Sequence, residues 1–176
     1  LVCLIYTPAM VCGEIDSCEA LWDPAYRNNI LMFDTSWDAF GSALKKIGLA
    51  LNPSYIEEMD LGKAELVSQK PLVQAYVMDQ IVDKMEGGEA AVAPYYAGDA
   101  ITMIEENPDL AFAVPKEGTN YFIDAMCIPK GSPNKEAAEM YINFLCETQV
   151  AMENSMFIGY STPQVEAAAS MNTALY

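Results

Sequence analysis

Residues 30–47 read ILMFDTSWDAFGSALKKI: an apolar run closing at Phe33, a polar turn over Asp34 and Thr35, and a helical stretch from Ser36 to Ile47. The same succession of short apolar run, turn and helical pattern recurs along the 176-residue chain. Strand-like runs fall at 2–6, 30–33, 71–76, 90–95, 110–114 and 120–128, and helical patterns at 36–47, 54–68, 77–86, 98–106, 134–146 and 148–156. The helix from Asn134 is the clearest of these. Ala137, Ala138, Met140, Tyr141, Phe144 and Leu145 recur at three- and four-residue steps, with Lys135, Glu136, Glu139 and Asn143 on other faces. Strands alternating with helices predict an α/β fold, a three-layer sandwich with helices on both faces of one sheet. A chain of this length closes one ordinary core, so residues 1–176 are expected to form a single domain. In open sheets of this kind ligands gather beyond the carboxyl ends of the strands, and chemistry is expected there.

Composition narrows the chemistry. Nine Lys and Arg stand against 25 Asp and Glu, a formal charge of −16. The eight Lys and single Arg27 form no basic run, which excludes nucleic acid as a partner and favours cationic ones. The absence of histidine removes Ser-His-Asp and Cys-His nucleophile systems, the HExxH zinc motif and most imidazole metal sites. Cys3, Cys12, Cys18, Cys127 and Cys146 contain no CxxC, cannot all pair within one chain, and read mostly as small buried hydrophobes. Apolar runs such as Leu1 to Tyr6 fall well short of the roughly 18 residues of a membrane span. With no initiator Met and no basic leader, the sequence reads as a segment of a longer product.

Four places on the chain can carry chemistry. Asp38 follows Thr35 at capping-box spacing, so it either satisfies the first turn of its helix or, beside Trp37 at the ligand edge, receives an ammonium group. Tyr95 and Tyr96 end a strand and turn through Gly98 to Asp99, an acid that the dipole of the following helix favours in any case. The tyrosine pair also suits a ferric ion, whose usual histidine partner is missing here. In NYFIDAMCI (120–128), period two places Phe122, Asp124 and Met126 on one face of a strand. A carboxylate buried there needs a lysine, other donors, or a ligand cation; a ring beside it completes a receptor for an alkylammonium. Tyr160, in IGYSTP, is by itself as compatible with packing or surface as with ligand contact.

Taken in order, ALWDPAYRNNILMFD, DAFGSALKKIG, YAGD, VPKEGTNYFIDAMCIP, NKEAAEMYINFL and IGYSTP resemble the bacterial polyamine-binding proteins, the spermidine/putrescine receptors of ABC importers, over most of residues 15–165. The resemblance implies one lobe, the second, of a two-lobed type II periplasmic-binding-protein fold. It further implies a polyamine ligand, an ABC permease and the missing first lobe as partners, and a place outside the cytoplasmic membrane, in a periplasm or as a lipoprotein. It carries ligand roles to Asp38, Tyr96, Asp99, Phe122, Asp124 and Tyr160. Thr35 stands where spermidine-type members carry an acid, and Tyr96 and Phe122 where they carry tryptophan. No catalysis, cofactor or metal is implied. The alternatives are a type II receptor for a ferric ion or cationic vitamin, and a hydrolase using paired carboxylates.

Overall fold

The computed structural model describes residues 1–171. They form two compact units, one from Leu1 to Tyr121 and a second from Phe122 onward.

The first unit holds strands β1 (Val2–Tyr6), β2 (Ile30–Phe33), β3 (Val73–Val77), β4 (Val92–Tyr96) and β5 (Ala111–Ala113). Its helices are α1 (Ser36–Lys46), α2 (Ile56–Gln69), α3 (Gln80–Glu86) and α4 (Ala97–Glu106). Strand β3 starts two residues later than its apolar run because Pro71, which has no N–H to give a ladder, sits in a 3-10 turn over Lys70–Leu72. Helix α2 starts at Ile56, not Ser54, because Glu58 reaches back to accept from the backbone N–H groups of Tyr55 at 3.1 Å and Ser54 at 2.9 Å. Helix α1 stops at Lys46, and the chain turns away just beyond it at Gly48, whose φ of +75° is cheap only for glycine.

The sheet order is β3-β2-β4-β1-β5. Strand β2 is parallel to both β3 and β4, while β1 is antiparallel to both its neighbours, β4 and β5. The carboxyl ends of β2, β3, β4 and β5 therefore share one edge, with the start of β1 among them, Val2 opposite Tyr96.

Strand periodicity divides the core into two layers. Cys3, Ile5, Leu31, Phe33, Ala93 and Tyr95 face Ile81, Met85, Ala100 and Met103 of α3 and α4. Leu4, Tyr6, Ile30, Met32 and Val92 face the other way, onto Ile15, Leu21, Tyr26 and Ala39. That second face is covered by α1 and the 3-10 segments Cys18–Trp22 and Pro24–Tyr26, and α2 packs on α1 with Gly62 buried against Leu44 and Phe40. The expected three-layer α/β arrangement is present.

The second unit contains α5 (Lys135–Leu145), α6 (Thr148–Ile158) and α7 (Val165–Ser170). Residues 120–128 form no strand, which corrects the reading of that segment. A strand needs a neighbour to take its backbone hydrogen bonds, and the described residues of this unit, to which 122–128 belong, contain no strand. The helix over 134–146 forms as expected, yet none of its residues is buried, and Met140, Tyr141 and Phe144 are exposed. Cys3 and Cys18 are buried as predicted, whereas Cys12, Cys127 and Cys146 are exposed, so burial holds for two of the five; all five are free thiols. Among the described residues no helix is long and apolar enough to cross a membrane.

Candidate functional site

The connection leaving β2 runs through α1 and α2 outward to β3, while the connection leaving β4 runs through α4 past β1 to β5. These connections diverge from adjacent parallel strands, and it is outside the carboxyl ends of such a strand pair that open α/β sheets form their ligand crevice. Helix α1 lies on one face of the sheet and α4 on the other, and both begin at this crevice.

Asp38 comes to it from the first turn of α1, Tyr96 from the last position of β4, and Asp99 from the first turn of α4. The Tyr96 phenol donates to Asp38 Oδ2 at 3.2 Å, and the Thr35 hydroxyl donates to the same oxygen at 2.7 Å. The capping-box reading of Asp38 and Thr35 is therefore corrected. Thr35 occupies the N-cap position, but its side chain makes no capping bond and instead donates a hydrogen bond to the carboxylate. Asp38, Tyr96 and Asp99 are all half-buried, and Trp37 points away from cover, 71% exposed.

Two buried rings, Phe33 and Tyr95, pack behind the half-buried ring of Tyr96. Phe33, at the end of β2, lies 5.6 Å from Tyr96 and 6.2 Å from Tyr95 between ring centroids, and the two tyrosines are 5.4 Å apart. Burial pushes the Tyr95 phenol up to about 12, helped by the charges of Asp99 and Asp79. Burial likewise pushes Tyr96 to about 12, with Asp38 adding to it by charge and by accepting its hydrogen bond. Both phenols therefore stay neutral, and Tyr96 acts as a donor. The anions that the N-termini of α1 and α4 would otherwise attract are supplied by the chain itself, as Asp38 and Asp99. What remains is a pair of acids beside one half-buried tyrosine ring, a set suited to a cation carrying apolar carbon.

The second unit supplies a separate group. Gly159, at φ +69°, ends α6 in the left-handed conformation and turns the chain into Tyr160. The Tyr160 ring stands 6.2 Å from that of Phe122, centroid to centroid and tilted by 54°. Phe122 is 38% exposed, and Asp124, two residues on, is exposed in irregular backbone. Asp124 takes part in none of the four salt bridges among the described residues. The argument that burial obliges Asp124 to find a partner does not apply, since it is not buried.

None of the predicted residues lines the cleft of about 480 Å³ formed by Glu14, Trp22, Asp23, Lys46 and their neighbours. Sequence reasoning did not single out Phe33, the buried ring packed against Tyr96. Its signal was available: it is the last apolar residue of a strand whose partner strand ends in two tyrosines.

The family model for bacterial extracellular solute-binding proteins matches residues 16–174. The chain belongs to that family. Among curated relatives, the spermidine/putrescine-binding periplasmic protein of Salmonella typhimurium is 33% identical over 153 residues, covering 87% of this chain and 44% of the relative. The putrescine/cadaverine-binding protein of Pseudomonas aeruginosa is 28% identical over 160 residues, covering 84% and 44%. Among solved structures, the spermidine/putrescine ABC transporter substrate-binding protein PotD of Streptococcus pneumoniae superposes with a TM-score of 0.83 at 29% identity, over 99% of this chain and 54% of that one. The TpPotD lipoprotein of Treponema pallidum, 20% identical, shares the fold with a TM-score of 0.87 over 99% of this chain and 57% of its own. The fold of this solute-binding protein is of the type II periplasmic-binding class. The chain spans about half the length of the relatives it matches.

Proposed function

We propose that this chain is one lobe of a two-lobed extracytoplasmic receptor that binds a polyamine, putrescine or spermidine, and delivers it to the permease of an ABC importer without making or breaking a bond. The observation that carries the proposal is the Tyr96 phenol donating to Asp38 at the crevice between β2 and β4, with the buried Phe33 ring packed against that of Tyr96. An alkylammonium docked there meets a carboxylate through a charge-assisted hydrogen bond, worth about 1.5 to 3 kcal/mol. A ring face against the cation contributes about 0.5 to 2 kcal/mol more, and aromatic carbon covers the methylenes. Asp99 adds negative charge at the start of α4. In the second unit, Phe122 and Tyr160 offer paired rings and Asp124 an exposed carboxylate, a set of the same chemical kind. The names of the relatives support the amine class, and the turns 33–38 and 95–99 that carry Asp38, Tyr96 and Asp99 hold none of the Lys or Arg an anion would need. A ferric ligand is disfavoured because the chain has no histidine to stand beside the tyrosine pair.

With about half of the relatives' length in this chain, its own affinity is expected near millimolar, about 4 kcal/mol of binding free energy. Calorimetry with putrescine and spermidine, beside a thermal-shift panel that adds thiamine and ferric citrate, tests the reading. Heat and a raised melting temperature with the amines support it. A melt shifted by the ferric salt alone overturns it and assigns Tyr95 and Tyr96 to iron.

A further inference from the structure

The hydrogen bonds around Asp38 bear on which cationic head the site accepts. A carboxylate oxygen has two lone-pair directions. On Oδ2 of Asp38 both are taken, one by the Thr35 hydroxyl at 2.7 Å and one by the Tyr96 phenol at 3.2 Å. Among the described residues, no hydrogen-bond donor reaches Oδ1. The carboxylate therefore presents one oxygen to a ligand.

The two common organic cations respond differently to that constraint. An ammonium is a compact charge with three rotatable donors, and one donor on one oxygen satisfies the contact. A guanidinium is planar and rigid, and its advantage over an ammonium comes from placing two parallel N–H groups on the two oxygens of one carboxylate. With Oδ2 occupied, that fork loses one prong and leaves an N–H facing a saturated oxygen, an unmade bond in a half-buried site. We infer that Thr35 and Tyr96 are specificity-determining positioning residues, which block one oxygen of Asp38 so that the site takes alkylammonium and rejects guanidinium heads.

The inference rests on the polyamine reading above, and the experiment separates the two. Putrescine, agmatine and 1,4-diguanidinobutane share a four-carbon spacer and carry two, one and no ammonium heads. Agmatine can turn its ammonium end toward Asp38; diguanidinobutane has no such choice. Titration of the chain by NMR or calorimetry is expected to give putrescine and agmatine similar affinities and diguanidinobutane one weaker by about tenfold, the worth of a lost charge-assisted hydrogen bond. Thr35→Val together with Tyr96→Phe frees Oδ2 with little change of shape, and the ratio is expected to fall to within about threefold. Each single substitution moves it part-way, which keeps the test intact should the double variant unfold. Thr35→Ser, which keeps the donor, restores the discrimination that Thr35→Val loses. Equal binding of putrescine and diguanidinobutane by the unaltered chain, or a ratio that none of the variants moves, overturns the inference while leaving the polyamine reading standing. Binding of no amine at all removes both.

Discussion

The phenol of Tyr96 and the carboxylate of Asp38, 58 positions apart in sequence, meet at 3.2 Å where the connections leaving two adjacent parallel strands part company. The bond ties the last residue of β4 to the first turn of α1, and it holds a negative charge at the mouth of the crevice instead of letting it turn to solvent. Removing that charge while keeping the shape is the direct test of its role. Asp38→Asn is expected to weaken putrescine binding about 10- to 100-fold, as read by calorimetry, with the melting temperature nearly unchanged. Affinity equal to that of the unaltered chain excludes Asp38 as the ammonium receptor.

Alkaline pH is expected to destabilise the first unit. Burial pushes the thiols of Cys3 and Cys18 from 9.0 to about 12. Burial also pushes the phenols of Tyr95 and Tyr96 from 10.0 to about 12, assisted by Asp99 and Asp38 respectively. Each of these groups has its folded pKa raised above the unfolded one, so its contribution is whole below the unfolded value and is lost as pH climbs toward the folded one. Thermal melts should fall between pH 9 and about 12, first from the thiols and then from the phenols. Cys3→Ala and Cys18→Ala should flatten the onset of that fall. A melting temperature level from pH 8 to 11 would contradict the burial of these groups.

Glu117 joins the loop after β5 to the segment before β2. Its carboxylate accepts from the hydroxyl of Ser17, which is buried, and from the backbone N–H of Cys18 at 3.1 Å. Burial acts to raise its pKa, but these donors, its own backbone N–H and Lys116 outweigh that and hold it below the ordinary 4.5. Its stabilising contribution is therefore present above 4.5 and fades as pH drops through the lowered value. Glu117→Gln should cost about 1 to 2 kcal/mol in urea unfolding at pH 7 and remove that part of the acid dependence. An unfolding midpoint indistinguishable from that of the parent chain would show the loop to be held by other means.

The contact between α1 and α2 depends on the missing side chain of Gly62. A methyl group there would already stand 3.2 Å from Leu44 Cδ2 and 3.3 Å from Phe40 Cδ1. Leu44 is fully buried and has no room to yield. Gly62→Leu is expected to destabilise the unit by about 2 kcal/mol or more, visible as a lower melting temperature. Unchanged stability would mean that the two helices separate at little cost.

The strand-and-helix order of the first unit was legible because each element announces itself locally: ILMF before a polar turn, and a helix opened by Glu58 reaching back to Tyr55. The run at 120–128 misled for the same reason. Its apolar residues carry a strand pattern, but pairing is a property of two segments, and Phe122 to Ile128 have no partner strand among the described residues of their unit. The helix from Lys135 shows the other side of this. Its periodicity was enough to form it and said nothing of whether Met140 and Phe144 would be covered.

Composition and motif order alone determined the acid-rich, histidine-free chemistry, the layered α/β class and the roster of acids and rings at the strand ends, since these depend on residue type and short-range periodicity. Only the tertiary structure decided that Thr35 and Tyr96 converge on one oxygen of Asp38, that Phe33 packs against Tyr96, and that Asp124 is exposed. The direction of a hydroxyl and the face of a ring are set by strand order and crossover handedness, which bring distant segments together, and no local pattern encodes them.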